Sequence, residues 1–126
     1  MTREATLYDR LGGEAGIAAL LDRFYARVLA DPELSPFFAD ASMGHLRSMQ
    51  RAFFSAALDG PVVYTGRTLA EVHYGRGIRP PHLRRFVDHL VATLRGLDVG
   101  EADVEAIRER ISTYADEVTG DTSVDA

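Results

Sequence analysis

The sequence contains no cysteine, and this absence excludes several kinds of site at once. Without thiols the chain forms no disulfide, offers no thiolate nucleophile and builds no cysteine-ligated zinc or iron–sulfur centre. Any metal that it binds must therefore be held by histidine or by oxygen ligands.

Long apolar runs and long basic runs are also missing. No hydrophobic stretch is long enough to span a bilayer, and the N-terminal residues 1–5 are not followed by an apolar signal segment. The formal net charge of −5 argues against nucleic acid or an anionic membrane as the main partner. We therefore expect a cytoplasmic protein that binds neither nucleic acid nor membrane.

Apolar residues instead repeat with the period of an α-helix, without strand-like alternation or internal repeats. A chain of 126 residues with 46% hydrophobic content is expected to form one domain over 1–126, with a frayed tail at about 121–126. The repeats predict helices at about 7–11, 17–29, 42–58, 80–95 and 101–118. The predicted fold class is all-α. The clearest buried stripe comprises Ile17, Leu20, Leu21, Phe24, Tyr25, Val28 and Leu29.

A short predicted helix carries a histidine on its apolar side. Thr68 and Glu71 have the spacing of a capping box, which predicts that this helix begins at Thr68. Leu69, Val72 and His73 then share one face, so the imidazole is expected to point inward. Glycines follow within a few residues, and a helix of one or two turns needs tertiary contacts or a ligand to hold it.

Two further polar groups are expected inside the helical bundle. Tyr25 lies within the buried stripe, and Gln50 fills the matching stripe position of the third helix, with Tyr25 as its expected neighbour. Helical spacing leaves two alternatives open: a cofactor pocket shared with His73, or a bundle in which each polar group finds a protein partner. Haem is the first cofactor to consider, because its iron takes a proximal histidine and its distal side takes hydrogen-bond donors.

The other three histidines have less suitable positions. His82 and His89 lie off the stripe of the fourth helix and are expected at the surface or flank. Two histidines alone make a poor metal site. His45 lies at the edge of the stripe of its own helix. We therefore expect His73 to be the only histidine that binds a metal.

Several short motifs follow one another in register along the chain: Leu7-Tyr8-Asp9-Arg10-Leu11-Gly12-Gly13, Phe24-Tyr25, Phe37-Phe38, Gln50, Tyr64-Thr65-Gly66-Arg67 and Val72-His73. From residue 7 to 118 this order closely resembles the truncated haemoglobins of group I. The resemblance implies a globin-like two-over-two helical sandwich, in which the helices carrying Tyr25 and Gln50 cross the last two.

The resemblance also implies roles for individual residues around haem b (iron protoporphyrin IX). His73 would be the proximal iron ligand, and Tyr25 and Gln50 would be the distal donors. Phe38 would pack on the haem, and Leu46 matches the distal gate position.

Five other residues are expected near the cofactor: Phe54, Tyr64, Val72, Arg76 and Phe86. Arg76 either reaches a haem propionate or is a solvated surface arginine, and Phe54 and Phe86 either line an apolar ligand path or belong to the plain core. Some members of the family bind iron through a second, distal histidine. Met49 stands at that position here, which predicts five-coordinate ferrous iron.

The implied function is reversible binding of O₂, NO and CO, supporting nitric oxide detoxification by dioxygenation with an unidentified reductase. The alternative is storage, scavenging or sensing of O₂ without turnover. A third hypothesis is that the chain is a haem-free helical interaction module. We expect a monomer or a weak dimer.

Overall fold

The computed structural model describes residues 5–39, 42–61 and 78–114, and every regular element within these ranges is helical. In chain order they are α1 (Leu7–Arg10), α2 (Gly13–Ala30), a 3₁₀ helix (Ser35–Phe38), α3 (Met43–Ala57), α4 (Pro80–Gly96) and α5 (Glu101–Ser112). The predicted all-α fold class is confirmed. Within the described ranges, no helix has the length and apolar character needed to cross a membrane.

The sequence of α1 explains where this helix begins and ends. Thr6 Oγ1 accepts a hydrogen bond from the Asp9 N–H at 3.1 Å, and the Asp9 carboxylate accepts one from the Thr6 N–H at 3.2 Å. This capping box fixes the first turn. Gly12 and Gly13 then adopt positive φ angles of 103° and 67°, which side-chain-bearing residues rarely adopt. The chain therefore turns sharply into α2.

Helix α2 is the centre of the packing, because it contacts both α3 and α4, while α5 packs against α4. The residues of its predicted stripe are buried, except Leu29, which is 40% exposed. The prediction that Leu29 is buried was wrong. At about 100° per residue, Leu29 lies roughly 120° around the helix from Ile17 and has left the buried face. The buried core cluster comprises Leu7, Ile17, Leu20, Leu21, Phe24, Tyr25, Val28, Leu34, Phe54, Ala57, Leu58, Leu90, Leu94, Val104, Ile107 and Ile111.

Two predicted helix boundaries need comment. Ser42 is the N-cap of α3, as predicted, although its side chain makes no capping hydrogen bond. Helix α5 was predicted to continue to about residue 118, but it ends at Ser112, and Thr113 and Tyr114 form a turn. The Thr113 hydroxyl donates to the Arg110 carbonyl at 2.7 Å, which is the kind of local bond that competes with helix continuation. Residues beyond 114 lie outside the described ranges.

Candidate functional site

An apolar cleft opens between the 3₁₀ helix, α3, α4 and the end of α5. It encloses about 730 Å³ of empty space, counting its open mouth. Most of its wall is aliphatic or aromatic. The lining residues are Leu34, Phe37, Phe38, Gln50, Phe53, Phe54, Ile78, His82, Leu83, Phe86, Ile111 and Tyr114.

Four of the residues predicted near a cofactor line this cleft: Phe38, Gln50, Phe54 and Phe86. They come from the 3₁₀ helix, α3 and α4, so tertiary packing brings together residues that are distant in sequence. Buried Phe24 supports the wall, with its ring centroid 4.8 Å from that of Phe86 and 6.5 Å from that of Phe54. The wall is therefore anchored in the core of α2.

Two other predicted site residues lie outside the lining itself. Tyr25 is buried beside the cleft, where its ring meets that of lining residue Phe38 edge-on with centroids 5.8 Å apart. Leu46, the predicted distal gate, is partly buried against the core and does not line the cleft. Since its role concerns ligand entry, it stays a prediction.

The hydroxyl of Tyr25 is the most unusual group at the site. The residue is only 1% exposed, yet its hydroxyl makes no hydrogen bond in the described structure. Gln50, for which Tyr25 was the expected neighbour, makes no hydrogen bond with it, and the Gln50 amide makes no other hydrogen bond in the described structure. Burial raises the pKa of the Tyr25 hydroxyl, and the charge of Arg47 opposes this shift more weakly. Tyr25 therefore keeps its proton and is a buried donor without an acceptor among the described residues.

Two histidines have more defined environments than their sequence positions suggested. His82 was predicted at the surface or flank, but it lines the cleft, and its Nδ1 accepts a hydrogen bond from the Arg79 N–H at 3.0 Å. One sequence signal could have revealed this contact. His82 is the third residue of α4, a position from which a side-chain acceptor can reach back to the N-cap N–H.

His89 is also partly buried, because its Nε2 lies 2.7 Å from the carboxylate of Asp31. Sequence reasoning missed Asp31, which follows the last residue of α2. Its buried carboxylate accepts two hydrogen bonds from Arg85, at 2.7 and 3.0 Å, and one from the Glu33 N–H at 2.9 Å. The Arg85 hydrogen bonds, followed by that of His89, hold the pKa of Asp31 far below its usual range. This cluster joins the end of α2 to α4.

The described residues fit a haem better than a metal ion alone. No group of three or more potential metal ligands occurs within residues 5–39, 42–61 and 78–114, whereas the lining of the cleft is mostly apolar. Gln50 lines the cleft and Tyr25 lies beside it, and each has a donor that makes no hydrogen bond among the described residues and could serve a small ligand. The remaining predicted site residues, Tyr64, Val72, His73 and Arg76, lie outside the described ranges.

Comparison with known proteins identifies the family. The model of the bacterial-like globins matches residues 6–120. A group 1 truncated hemoglobin from Mycolicibacterium paratuberculosis is 41% identical over 114 residues, covering 90% of this chain and 84% of the relative. The Fe(III) form of truncated hemoglobin from Tetrahymena pyriformis has a TM-score of 0.86 at 32% identity, covering 90% of this chain and 97% of that one.

A third comparison concerns the arrangement of the helices. The 2/2 hemoglobin from a Synechococcus species, solved in the cyanomet state with covalently attached heme, has a TM-score of 0.87 at 26% identity. It covers 92% of this chain and 99% of that one. The predicted two-over-two sandwich is thus confirmed. The match to the globin model across most of the sequence, and the level of identity to its relatives, show that this chain belongs to the group I truncated haemoglobins, which are haem proteins that bind small ligands such as O₂.

Proposed function

We propose that this chain holds haem b through His73 and uses Tyr25 and Gln50 to retain O₂ for the conversion of nitric oxide to nitrate. The observation that carries this proposal is the buried Tyr25 hydroxyl, which has no hydrogen-bond partner in the described structure. Leaving a buried hydroxyl unpaired costs about 1–3 kcal/mol, so a ligand that accepts this bond offsets an existing cost.

The environments of the other histidines support His73 as the iron ligand. A neutral imidazole ligates iron through a nitrogen lone pair, which must be free and directed at the cofactor. His82 uses its Nδ1 lone pair to accept a backbone hydrogen bond, and His89 directs its Nε2 at a buried carboxylate. His45 is exposed and does not line the cleft. None of these three described histidines is therefore placed to bind the iron, and His73, the ligand that the sequence resemblance implies, is the residue we propose for that role.

Retention of the ligand depends on the charge state of Tyr25. Because burial keeps its hydroxyl protonated, Tyr25 can donate to a ligand atom that carries partial negative charge. Gln50 can add a second donor through its amide. A bond of this charge-assisted kind contributes about 1.5–3 kcal/mol, which slows ligand release by roughly ten- to a hundredfold. Slow release favours chemistry on the retained O₂ over its delivery.

The remaining parts of the proposal follow from the reaction. When bound, haem supplies the O₂-binding iron and one electron, so that one O₂ and one NO give one nitrate ion. A separate reductase must then return that electron. We further propose that the protein acts in the cytoplasm as a single domain and as a monomer or weak dimer. The cofactor is proposed to be haem b because the chain has no cysteine for thioether attachment.

Two measurements test this proposal. The absorption spectrum of the purified protein should show a Soret band, and pyridine extraction should give the spectrum of haem b. NO added to the oxygenated protein should then yield one nitrate per haem. A Soret band without nitrate formation would leave storage, scavenging or sensing of O₂ as the function. Absence of a Soret band after reconstitution with haem would contradict the haem pocket itself.

A further inference from the structure

His82 occupies a position on the cleft wall where one of its two ring nitrogens is already committed. The Arg79 backbone N–H can only donate, so His82 Nδ1, at 3.0 Å, must present its lone pair. In the neutral ring the proton therefore resides on Nε2. The ring is also held by Phe37, with centroids 4.9 Å apart and an interplanar angle of 69°. His82 is thus a fixed side chain with one defined donor.

The Nε2–H donor of His82 has no hydrogen-bond partner in the described structure. Four described residues that line the cleft with it are apolar: Phe37, Ile78, Leu83 and Phe86. A donor facing such a wall loses hydration when a ligand covers it, unless the ligand itself supplies an acceptor. The occupant of this cleft should therefore carry an acceptor group near His82.

Haem is an apolar disc that carries two carboxylates at one edge, and those carboxylates are its strongest hydrogen-bond acceptors. We propose that the Nε2–H of His82 donates a hydrogen bond to a haem propionate and helps to hold the cofactor in the cleft. This assignment rests on the proposed function, because it requires haem to occupy the cleft. It gives His82 a cofactor-binding role that excludes iron ligation, since a protonated Nε2 has no lone pair to offer.

Two substitutions test the role of the Nε2–H donor of His82 separately from that of the Nδ1 acceptor. His82→Asn keeps an acceptor near the position of Nδ1 and removes the Nε2 donor, whereas His82→Gln keeps a donor near Nε2 and an amide oxygen that can still reach the Arg79 N–H. Each protein, and the wild type, is loaded with haem and, separately, with haem dimethyl ester, whose carboxylates are blocked. The rate of cofactor transfer to an excess of an apoprotein scavenger is then measured for all six complexes.

For haem, His82→Asn should speed cofactor loss about tenfold, because a charge-assisted hydrogen bond at a partly exposed site is lost. His82→Gln should stay within about threefold of the wild type. With the dimethyl ester, all three proteins should lose the cofactor at similar rates, since the acceptor is gone in each. This dependence on both partners is the signature of a direct interaction.

The unfolding midpoint provides a readout of the cap alone. Both variants keep an amide oxygen that can accept from the Arg79 N–H, so both midpoints should stay close to that of the wild type while only His82→Asn speeds cofactor loss. Equal acceleration by His82→Asn with haem and with its ester would show that His82 acts through packing, and would overturn the assignment. A change of iron coordination in the visible spectrum of His82→Asn would overturn it as well. If the wild type binds neither cofactor, the failure lies in the proposed haem pocket.

Discussion

Helix α2 positions two buried polar side chains, and they are in opposite states. Asp31, just past its end, accepts hydrogen bonds from Arg85 and the Glu33 N–H and lies 2.7 Å from His89 Nε2. Tyr25, six residues earlier, is also buried but has no hydrogen-bond partner in the described structure. Tyr25 belongs to α2 and Asp31 directly follows it.

This difference in hydrogen bonding indicates that Asp31 has a structural role, whereas the Tyr25 hydroxyl is available to a ligand. A buried carboxylate is tolerated only when paired, so the Asp31 cluster is complete within the protein and its pKa is held low. A buried hydroxyl costs less when unpaired, and a protein can retain that cost where a ligand supplies the acceptor. We therefore expect substitutions of Asp31 to change stability with little effect on ligand binding. Substitutions of the cleft residues should change ligand binding with little effect on stability.

The largest expected effect comes from removing the proposed iron ligand. His73→Ala should abolish normal haem retention, because the cleft alone supplies apolar contacts and no bond to iron. The Asp31 cluster should be unaffected, so the apoprotein should keep its helical circular dichroism. His45→Ala and His89→Ala are the matched controls and should keep the Soret band. Loss of haem from either control, with retention in His73→Ala, would show that another histidine binds the iron.

Tyr25→Phe tests whether the Tyr25 hydroxyl serves ligand binding, because it removes only this hydroxyl and keeps the ring. The O₂ dissociation rate should rise by roughly one to two decades, corresponding to about 1.5–3 kcal/mol of charge-assisted bonding. CO carries less negative charge on its outer atom, so its dissociation rate should change much less. Stopped-flow measurement of both rates is the test.

Tyr114→Phe is the matched control for Tyr25→Phe, because Tyr114 lines the same cleft and packs on Phe53 with centroids 5.2 Å apart. It should leave both rates nearly unchanged. Tyr25→Phe should also leave the unfolding midpoint unchanged or slightly raised, since no protein hydrogen bond is lost. Equal acceleration of O₂ and CO would instead indicate an altered pocket shape.

Asp31→Asn tests whether the Asp31 cluster stabilises the fold. The amide cannot replace the charge that Arg85 and His89 share, so the midpoint of thermal unfolding should fall by roughly 5 °C or more. Asp22→Asn makes the same chemical change on α2, where Asp22 is 64% exposed and pairs with Arg47. That control should shift the midpoint by roughly 2 °C or less. The O₂ dissociation rate should be unchanged in both variants; a tenfold change in Asp31→Asn would remove the division of roles.

Most of the helical framework could be predicted from the sequence, because its signals are local. The apolar period of α2, the Thr6 cap and the glycines at 12 and 13 each specify structure within a few residues. Leu29 was misjudged because a stripe drifts around the helix with length, so its last member left the buried face.

The site was only partly predictable. Phe38, Gln50 and Tyr25 could be named because each disturbs or marks an apolar pattern, although the absence of a bond between Gln50 and Tyr25 could not be foreseen. The Asp31 cluster could not be predicted either. Asp31 and His89 are 58 residues apart, and no local pattern pairs them.

The smallest expected effect is the pH dependence of the Asp31 contribution. The hydrogen bonds from Arg85 and the contact with His89 make the pKa of Asp31 lower in the folded chain than in the unfolded chain. The folded state therefore favours the ionised form, and stability from this site is fully present above the pKa of an unfolded aspartate, about 4. As the pH falls below that value toward the lower folded pKa, the unfolded chain takes up the proton first and the contribution is lost.

Unfolding midpoints of the haem-loaded wild type and Asp31→Asn, measured from about pH 6 to about pH 3, test this sign. The difference between them should be largest at the upper end and should narrow below about pH 4, because only the wild type carries the titrating carboxylate. Loss of haem in acid affects both proteins and cancels in the difference. Asp22→Asn should differ little from the wild type throughout. A gap that stays constant down to about pH 3 would mean that Asp31 stabilises the fold through its shape and not through its charge, and its contrast with Tyr25 would then no longer be electrostatic.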